Sequence, residues 1–219
     1  MRRWWGALAL LGLAGCGLVR EAPVEQPAPF REDGLPSSAL EHPRTLAWTR
    51  RFCDKLTRRS AAEIGLAPAR PILPQMKAIL VANGLPAALS AVPAIESRYQ
   101  PLARGTHGEL GLWQLLPGTA RRWGLEVSRA RDERAHVDRS TQGAARYLAF
   151  LHDRYDDWPL ALAAYNAGEG RVDRALADCP GASFWDLAER GALPQISREY
   201  VPKILAVVRV TGDPAACGS

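Results

Sequence analysis

A chain of 219 residues that is 47% hydrophobic and 23% charged, with 19 Gly and 17 Pro, has the make-up of a globular protein and excludes collagen, coiled coil and wholesale disorder. Its 28 basic and 23 acidic side chains leave a formal charge of +5, which favours an acidic polymer or surface as partner without identifying one. Four cysteines with no CxxC pair exclude a disulfide-dense scaffold and carry no zinc or redox signature, while seven Trp among the aromatics favour stacking surfaces.

The chain opens with Met1-Arg2-Arg3 and an apolar stretch from Trp4 to Leu13, too short to span a bilayer but matched to the apolar region of a signal peptide. Leu13-Ala14-Gly15-Cys16 resembles the bacterial lipobox, which implies cleavage before Cys16 and acylation of that residue; a plain secretory signal is the alternative. Residues 1–15 are therefore expected to be a lipoprotein signal peptide. Their loss removes Arg2 and Arg3 and no acid, so +5 becomes +3. Gly17 stands where an Asp marks inner-membrane retention in some Gram-negative bacteria, so the expected location is the cell envelope, lipid-anchored on the periplasmic side, at the outer rather than the inner membrane. Cys53, Cys179 and Cys217 remain, an odd number in an oxidising compartment, so one pair and one free thiol are expected. Cys179 with Cys217 is favoured because both lie in the C-terminal third.

Residues 16–45 read as the acylated Cys and a tether: Pro23, Pro27, Pro29, Pro36 and Pro43 interrupt a polar stretch that cannot bury enough surface to fold. Residues 46–71, with Trp48 and Cys53, form an N-terminal helical extension, and residues 72–212 one globular domain. Within it the patterning is helical throughout. Pro86 starts a helix towards Ser97 that Pro93 kinks, and Pro117 starts another. Ser140 reads as an N-cap, with Ala144, Leu148, Leu151 and Tyr155 recurring on one helical face behind it. Pro159 opens a helix from Leu160 to Ala167, apolar all round and therefore central, with Gly168 just past its end. Tyr200 to Val210 carries Val201, Ile204, Val207 and Val208 on one face. The fold class is all-α, with about seven or eight helices.

Chemistry is sought in polar residues set among apolar ones. Glu96 ends the uncharged run Leu89-Ser90-Ala91-Val92-Pro93-Ala94-Ile95. An apolar wall disfavours its charged form and raises its pKa, as a general acid working near neutrality requires. Gly111-Leu112-Trp113-Gln114 offers an indole face for a sugar ring and an amide for an N-acetyl group, although Trp113 taken alone reads as core. Ala164-Tyr165-Asn166-Ala167-Gly168 ends the central helix with a phenol and an amide, and taken alone reads as a helix C-terminal signal.

Together, Glu96-Ser97, Pro101, Ala103, Gly108, Gly111-Leu112-Trp113-Gln114, Pro117, Thr119-Ala120, Ala164-Tyr165-Asn166-Ala167-Gly168 and Tyr200-Val201-Pro202-Lys203 resemble the soluble lytic transglycosylase (SLT) family in order and spacing. Asp132-Glu133-Arg134, Ser140-Thr141, Ala144-Ala145-Arg146-Tyr147-Leu148 and Trp158-Pro159-Leu160-Ala161-Leu162 place the likeness in its membrane-bound lytic murein transglycosylase D branch. The resemblance covers about residues 72–210. It implies a goose-lysozyme-like α fold and cleavage of peptidoglycan between MurNAc and GlcNAc. It further implies Glu96 as the single catalytic carboxyl, protonating the glycosidic oxygen and then taking the proton of the MurNAc C6 hydroxyl, so that a 1,6-anhydro ring forms. Tyr200 matches a tyrosine that supports the substrate N-acetyl group. Tyr165 and Asn166 match the cleft lining, and Trp113 and Gln114 match positions facing the sugar. Ser97 adjoins the acid and is expected among the substrate-binding residues, shaping the surroundings of the acid rather than reacting.

Four departures stand out. Gly105 replaces a frequent Ser and Glu109 a frequent Ala; Glu109 reads as a solvated loop residue or, if it faces the cleft, as a base for water that would favour hydrolysis. Ile196-Ser197 replaces Glu-Thr, which bears on the support of Tyr200, and His136-Val137 replaces Asp-Pro. A lysozyme-like hydrolase on the same fold and a non-catalytic glycan-binding lipoprotein are the alternatives to a lytic transglycosylase. No cofactor or metal is called for, since His42, His107, His136 and His152 show no ligand spacing. The expected partners are glycan strands and, through the lipid, a membrane. Nucleic acid is not expected, because no basic stripe appears, and the chain is expected to be a monomer.

Overall fold

A computed structural model of the protein describes residues 34–54, 65–212 and 214–217. The elements in chain order are α1 (Ser37–Leu40), α2 (Pro43–Asp54), α3 (Leu66–Ala69), α4 (Leu73–Ala82), a 3-10 helix (Ala87–Ala91), α5 (Val92–Glu96), α6 (Pro117–Arg122), a 3-10 turn (Glu133–Ala135), α7 (Val137–Tyr155), α8 (Trp158–Ala167), α9 (Glu169–Asp178), α10 (Phe184–Glu189) and α11 (Gln195–Gly212), with a last 3-10 turn (Pro214–Cys217). Among the described residues eight α-helices run six residues or more. Among the described residues pairing between extended segments is confined to isolated bridges, as an all-α architecture requires.

Helix α8 is the centre of the molecule. Trp158 to Ala164 and Ala167 are all buried, which is why it is apolar on every side. Its ends are set locally: the Asp157 carboxylate accepts from the Leu160 N–H at 2.6 Å, Pro159 occupies the first turn, and Gly168, at φ 83, turns the chain into α9. Helices α7, α9 and α11 pack around α8, and α2 lies along α11. Helix α7 starts at Val137, three residues before the expected cap. Ser140 lies inside its first turn, where its hydroxyl donates back to the His136 carbonyl at 2.6 Å. The predicted face holds, with Ala144, Leu148 and Leu151 buried and Tyr155 at its edge.

Three further expectations change. The segment from Pro86 to Ser97 is two short helices joined end to end, and Pro93 opens the second, where it lacks only an N–H that needs no partner. Residues 34–45, expected to belong to an extended tether, are folded: Leu35 and Leu40 are fully buried, and the Thr45 hydroxyl donates to the Ala39 carbonyl at 2.9 Å. The signal peptide, Cys16 and residues 17–33 of the tether lie outside the described residues. Cys217 pairs with Cys53, not with Cys179, and among the described residues no cysteine is a free thiol. The bond clips the end of α2 to the turn after α11, the two elements that already pack side by side. No helix among the described residues is long and apolar enough to cross a membrane.

Candidate active site

Glu96 is the last residue of α5, whose Val92, Pro93 and Ala94 are buried, so the carboxyl leaves the protein interior at the rim of a cleft. The chain then turns sharply through Arg98 (φ 53) and Tyr99 (φ 57), two consecutive left-handed residues of a kind that side chains other than glycine seldom adopt. The turn is held from both sides: the Ser97 and Tyr99 N–H groups both donate to the Pro93 carbonyl, and the Tyr99 hydroxyl donates to the Ser90 carbonyl at 2.9 Å. The Glu96 carboxyl therefore stands next to a turn fixed by three hydrogen bonds.

The facing wall is the loop from Arg104 to Leu115, folded back on itself by bridges from Arg104 to Leu110 and from Leu110 to Leu115. Buried Arg134 pins it. Its guanidinium forks onto Asp132 at 2.9 and 2.7 Å and donates to the carbonyls of Gly108 (2.7 Å) and Leu115 (2.9 Å), so two separate points of the loop hang on one cation. Gly111 is required here, because a Cβ would lie 1.9 Å from the Arg134 carbonyl oxygen and φ is 85. Gln114, left-handed at φ 46, uses its amide nitrogen on the carbonyls of Ala103 and Gly111.

Between these walls and the end of α8 lies a cavity of about 490 Å³ lined by Glu96, Gly105, Glu109, Gln114, Tyr165 and Asn166 among others. A larger hollow of about 780 Å³ beside α3, α4 and the end of α11 shares no residue with it and has no acid among its described lining. Acid–base chemistry therefore belongs to the smaller cleft. Glu96 keeps part of its surface open to that cleft, yet enough protein surrounds it that desolvation pushes its pKa up from 4.5 to about 7. Tyr200 opposes the rise by donating its hydroxyl to Glu96 Oε1, and the charge of Glu109 adds to it. Burial holds both Tyr165 and Tyr200 well above the usual phenol range, so both act as neutral donors.

Of the sequence-predicted residues, Glu96, Gln114, Tyr165 and Asn166 meet in the cavity. The Tyr165 hydroxyl donates to the Trp113 carbonyl at 2.7 Å, and Asn166 Oδ1 accepts from the Ser197 hydroxyl at 2.7 Å. Ser197, flagged as a departure, thus holds the cleft amide. Tyr200, expected at the substrate N-acetyl group, is buried and bonded to the acid itself. Two expectations are corrected. Trp113 does not face a sugar: its side chain is fully buried, and its indole N–H donates to Thr141 Oγ1 at 3.0 Å, so the large apolar ring fills the core beneath the loop. Ser97 does not bind substrate either; it is buried and donates to the Leu112 carbonyl at 2.8 Å, tying α5 to the loop. Sequence reasoning missed Tyr147 and Glu169, which line the cavity and bond to each other at 3.0 Å, with Arg122 on the other Glu169 oxygen at 2.8 Å. The one available signal was a carboxylate directly behind Gly168, in the first turn of a helix. Cys16 lies outside the described residues. Among the described residues no three His, Cys, Asp or Glu side chains come together as a metal site.

Comparison with known proteins matches residues 76–187 to the Transglycosylase SLT domain. The chain is 38% identical over 130 residues to membrane-bound lytic murein transglycosylase D of Escherichia coli (strain K12), covering 57% of this chain and 28% of that protein. It is 31% identical over 123 residues to peptidoglycan transglycosylase gp16 of Escherichia phage T7, covering 55% of this chain and 9% of that one. Among solved structures it resembles an inactive mutant of lytic transglycosylase Slt from Pseudomonas aeruginosa, with TM-score 0.56, 26% identity and coverage of 80% of this chain and 31% of that one. The 70 kDa soluble lytic transglycosylase from Escherichia coli is similar at TM-score 0.52 and 25% identity, over 61% of this chain and 23% of that one. The chain thus spans less than a third of the length of each of these relatives.

Proposed function

The chain belongs to the transglycosylase SLT family, and from that premise we propose that it is a peptidoglycan lytic transglycosylase, cleaving the β-1,4 bond between MurNAc and GlcNAc and leaving 1,6-anhydro-MurNAc ends. The observation that carries this reading is the Glu96 carboxyl at the cleft rim, its pKa near 7 and its Oε1 held by Tyr200. A carboxyl with that pKa is protonated in half or more of the molecules at and below neutrality, so it donates to the glycosidic oxygen as the bond to C1 breaks. The resulting carboxylate then accepts the proton of the MurNAc C6 hydroxyl, whose oxygen bonds to C1. Water enters neither step, and Glu96 ends protonated, ready for the next bond.

In this reading Tyr200 fixes the rotamer of Glu96 and lowers the energy of the carboxylate formed midway. Tyr165 and Asn166, whose own partners are the Trp113 carbonyl and Ser197, present an ordered floor to the sugar. Gln114 and the exposed Leu116 lie on the facing wall. The N-terminal signal, Cys16 and Gly17 extend the proposal to a protein lipid-anchored at the outer membrane of the cell envelope, facing the periplasm and the glycan strands. Digestion of purified sacculi followed by mass analysis of the muropeptides tests the chemistry. Ends lighter by one water than hydrolytic products are expected, and reducing ends alone would refute the transglycosylase reading.

A further inference from the structure

Glu109 is a second carboxylate in the same cavity, and the chain has made a specific seat for it. Its side chain folds back across Gly105, where a Cβ would lie 2.3 Å from Oε2 and 2.9 Å from the Glu109 Cβ; only a residue without a side chain at 105 leaves that space. The backbone closes the same turn, with the Gly105 N–H donating to the Glu109 carbonyl at 3.0 Å. Oε2 accepts from the His107 N–H at 2.8 Å, and Oε1 stands 3.4 Å from His107 Nδ1. The Glu109 side chain is 23% exposed, and what it exposes lines the cleft with Glu96.

Backbone and His107 hydrogen bonds hold the Glu109 carboxyl below the usual carboxylate range, so it is ionised wherever Glu96 has to carry a proton. Oε2 already has a backbone donor on the loop and Oε1 lies beside the His107 ring, which suits a fixed charge better than a base that must reach a water. The other titratable or charged groups around Glu96 are Tyr147 on α7, Tyr165 on α8, Glu169 and Arg171 on α9, and Tyr200 on α11. The three tyrosines are neutral, and Glu169 is tied by Arg122, leaving Glu109 as the negative charge whose placement depends on a single glycine.

We propose that Glu109 is a positioning residue for the cleft acid: a fixed negative charge, seated on Gly105, that adds to burial in keeping Glu96 protonated. This deepens the reading of Glu96 as the acid and rests on it. The experiment is the pH dependence of sacculus cleavage by the full chain, from about pH 4 to 9, for the parent, Glu109→Gln, Gly105→Ala and the double variant. Gly105 does not have a left-handed backbone, so alanine brings no backbone strain there and acts by pushing the Glu109 side chain off its seat.

Glu109→Gln is expected to move the alkaline limb down by about half a pH unit, a loss of about threefold at pH 8 with little change at pH 5, as removal of a like charge dictates. Gly105→Ala moves it the same way, and the double variant moves it no further. An unmoved limb in Glu109→Gln, a loss by one factor at every pH, or additive shifts in the double variant overturns the proposal. So does a switch in product ends on Glu109→Gln, since that is the mark of a base for water. Failure of the parent reading is read separately: cleavage surviving in Glu96→Gln would remove the acid, whereas reducing ends from the parent would change the reaction and leave the limb shift intact.

Discussion

Glu96 is held in a place that suits its neutral form, and that has a cost in stability that the Glu96→Gln variant isolates. At low pH the carboxyl is protonated in the folded and unfolded chains alike, and glutamine, of nearly the same shape and still an acceptor for Tyr200, should change little. As pH rises past 4.5 the unfolded chain ionises Glu96 while the folded chain holds its proton until about pH 7. Because the folded pKa is the higher one, stability is present in full below the unfolded pKa and is lost as pH climbs through the folded one. The rise from 4.5 to about 7, at about 1.4 kcal/mol for each tenfold, makes the parent about 3 kcal/mol less stable relative to Glu96→Gln at pH 8 than at pH 4. At roughly 2–4 °C per kcal/mol for a domain of this size, the variant should melt about 10 °C above the parent at pH 8 and close to it at pH 4. Urea or thermal denaturation of both proteins across that range measures the gap. A difference that does not vary with pH would refute the argument that the folded protein raises the pKa of this carboxyl. The same variant is expected to bind glycan strands and fail to cut them.

Three other outcomes follow from particular contacts. Tyr200→Phe removes the hydroxyl that stabilises the Glu96 carboxylate, a bond worth about 1.5–3 kcal/mol to a charged group, so the alkaline limb of the rate profile should rise by at least about one pH unit while the maximal rate falls. Trp113→Phe leaves Thr141 without its indole donor and opens space in the core; a loss of about 1–3 kcal/mol in urea melts is expected, with KM for glycan unchanged, and a raised KM at parental stability would return Trp113 to the sugar. Opening the Cys53–Cys217 bond, which spans 164 residues of sequence, by replacing both cysteines with serine should cost about 2–5 kcal/mol of stability with the pH profile in place.

Much of the fold was legible from local rules. Pro117 and Pro159 mark helix starts because a first-turn residue needs no N–H partner, and the all-round apolar stretch after Pro159 could only be central. The cleft lining was legible where it coincides with helix ends, at Glu96 and at Tyr165-Asn166, since a polar group closing an apolar helix has nowhere else to point. Ser140 misled because a hydroxyl that looks like a cap also bonds backwards inside a first turn.

The sequence by itself determined that the chain is helical, which runs are buried, and that a carboxyl at the end of α5 would be starved of water; these follow from periodicity and composition over a few neighbouring residues. Only the tertiary structure decided that Trp113 is core and not a sugar platform, that Tyr200 bonds the acid across 104 residues of chain, that Cys53 takes Cys217, and that Glu109 enters the cleft over Gly105. Each of these depends on which surfaces meet when distant helices pack. An indole, a phenol or a carboxylate has the same local signature whether it lines a cleft or fills a core, and its role is settled by the neighbour that packing sets against it.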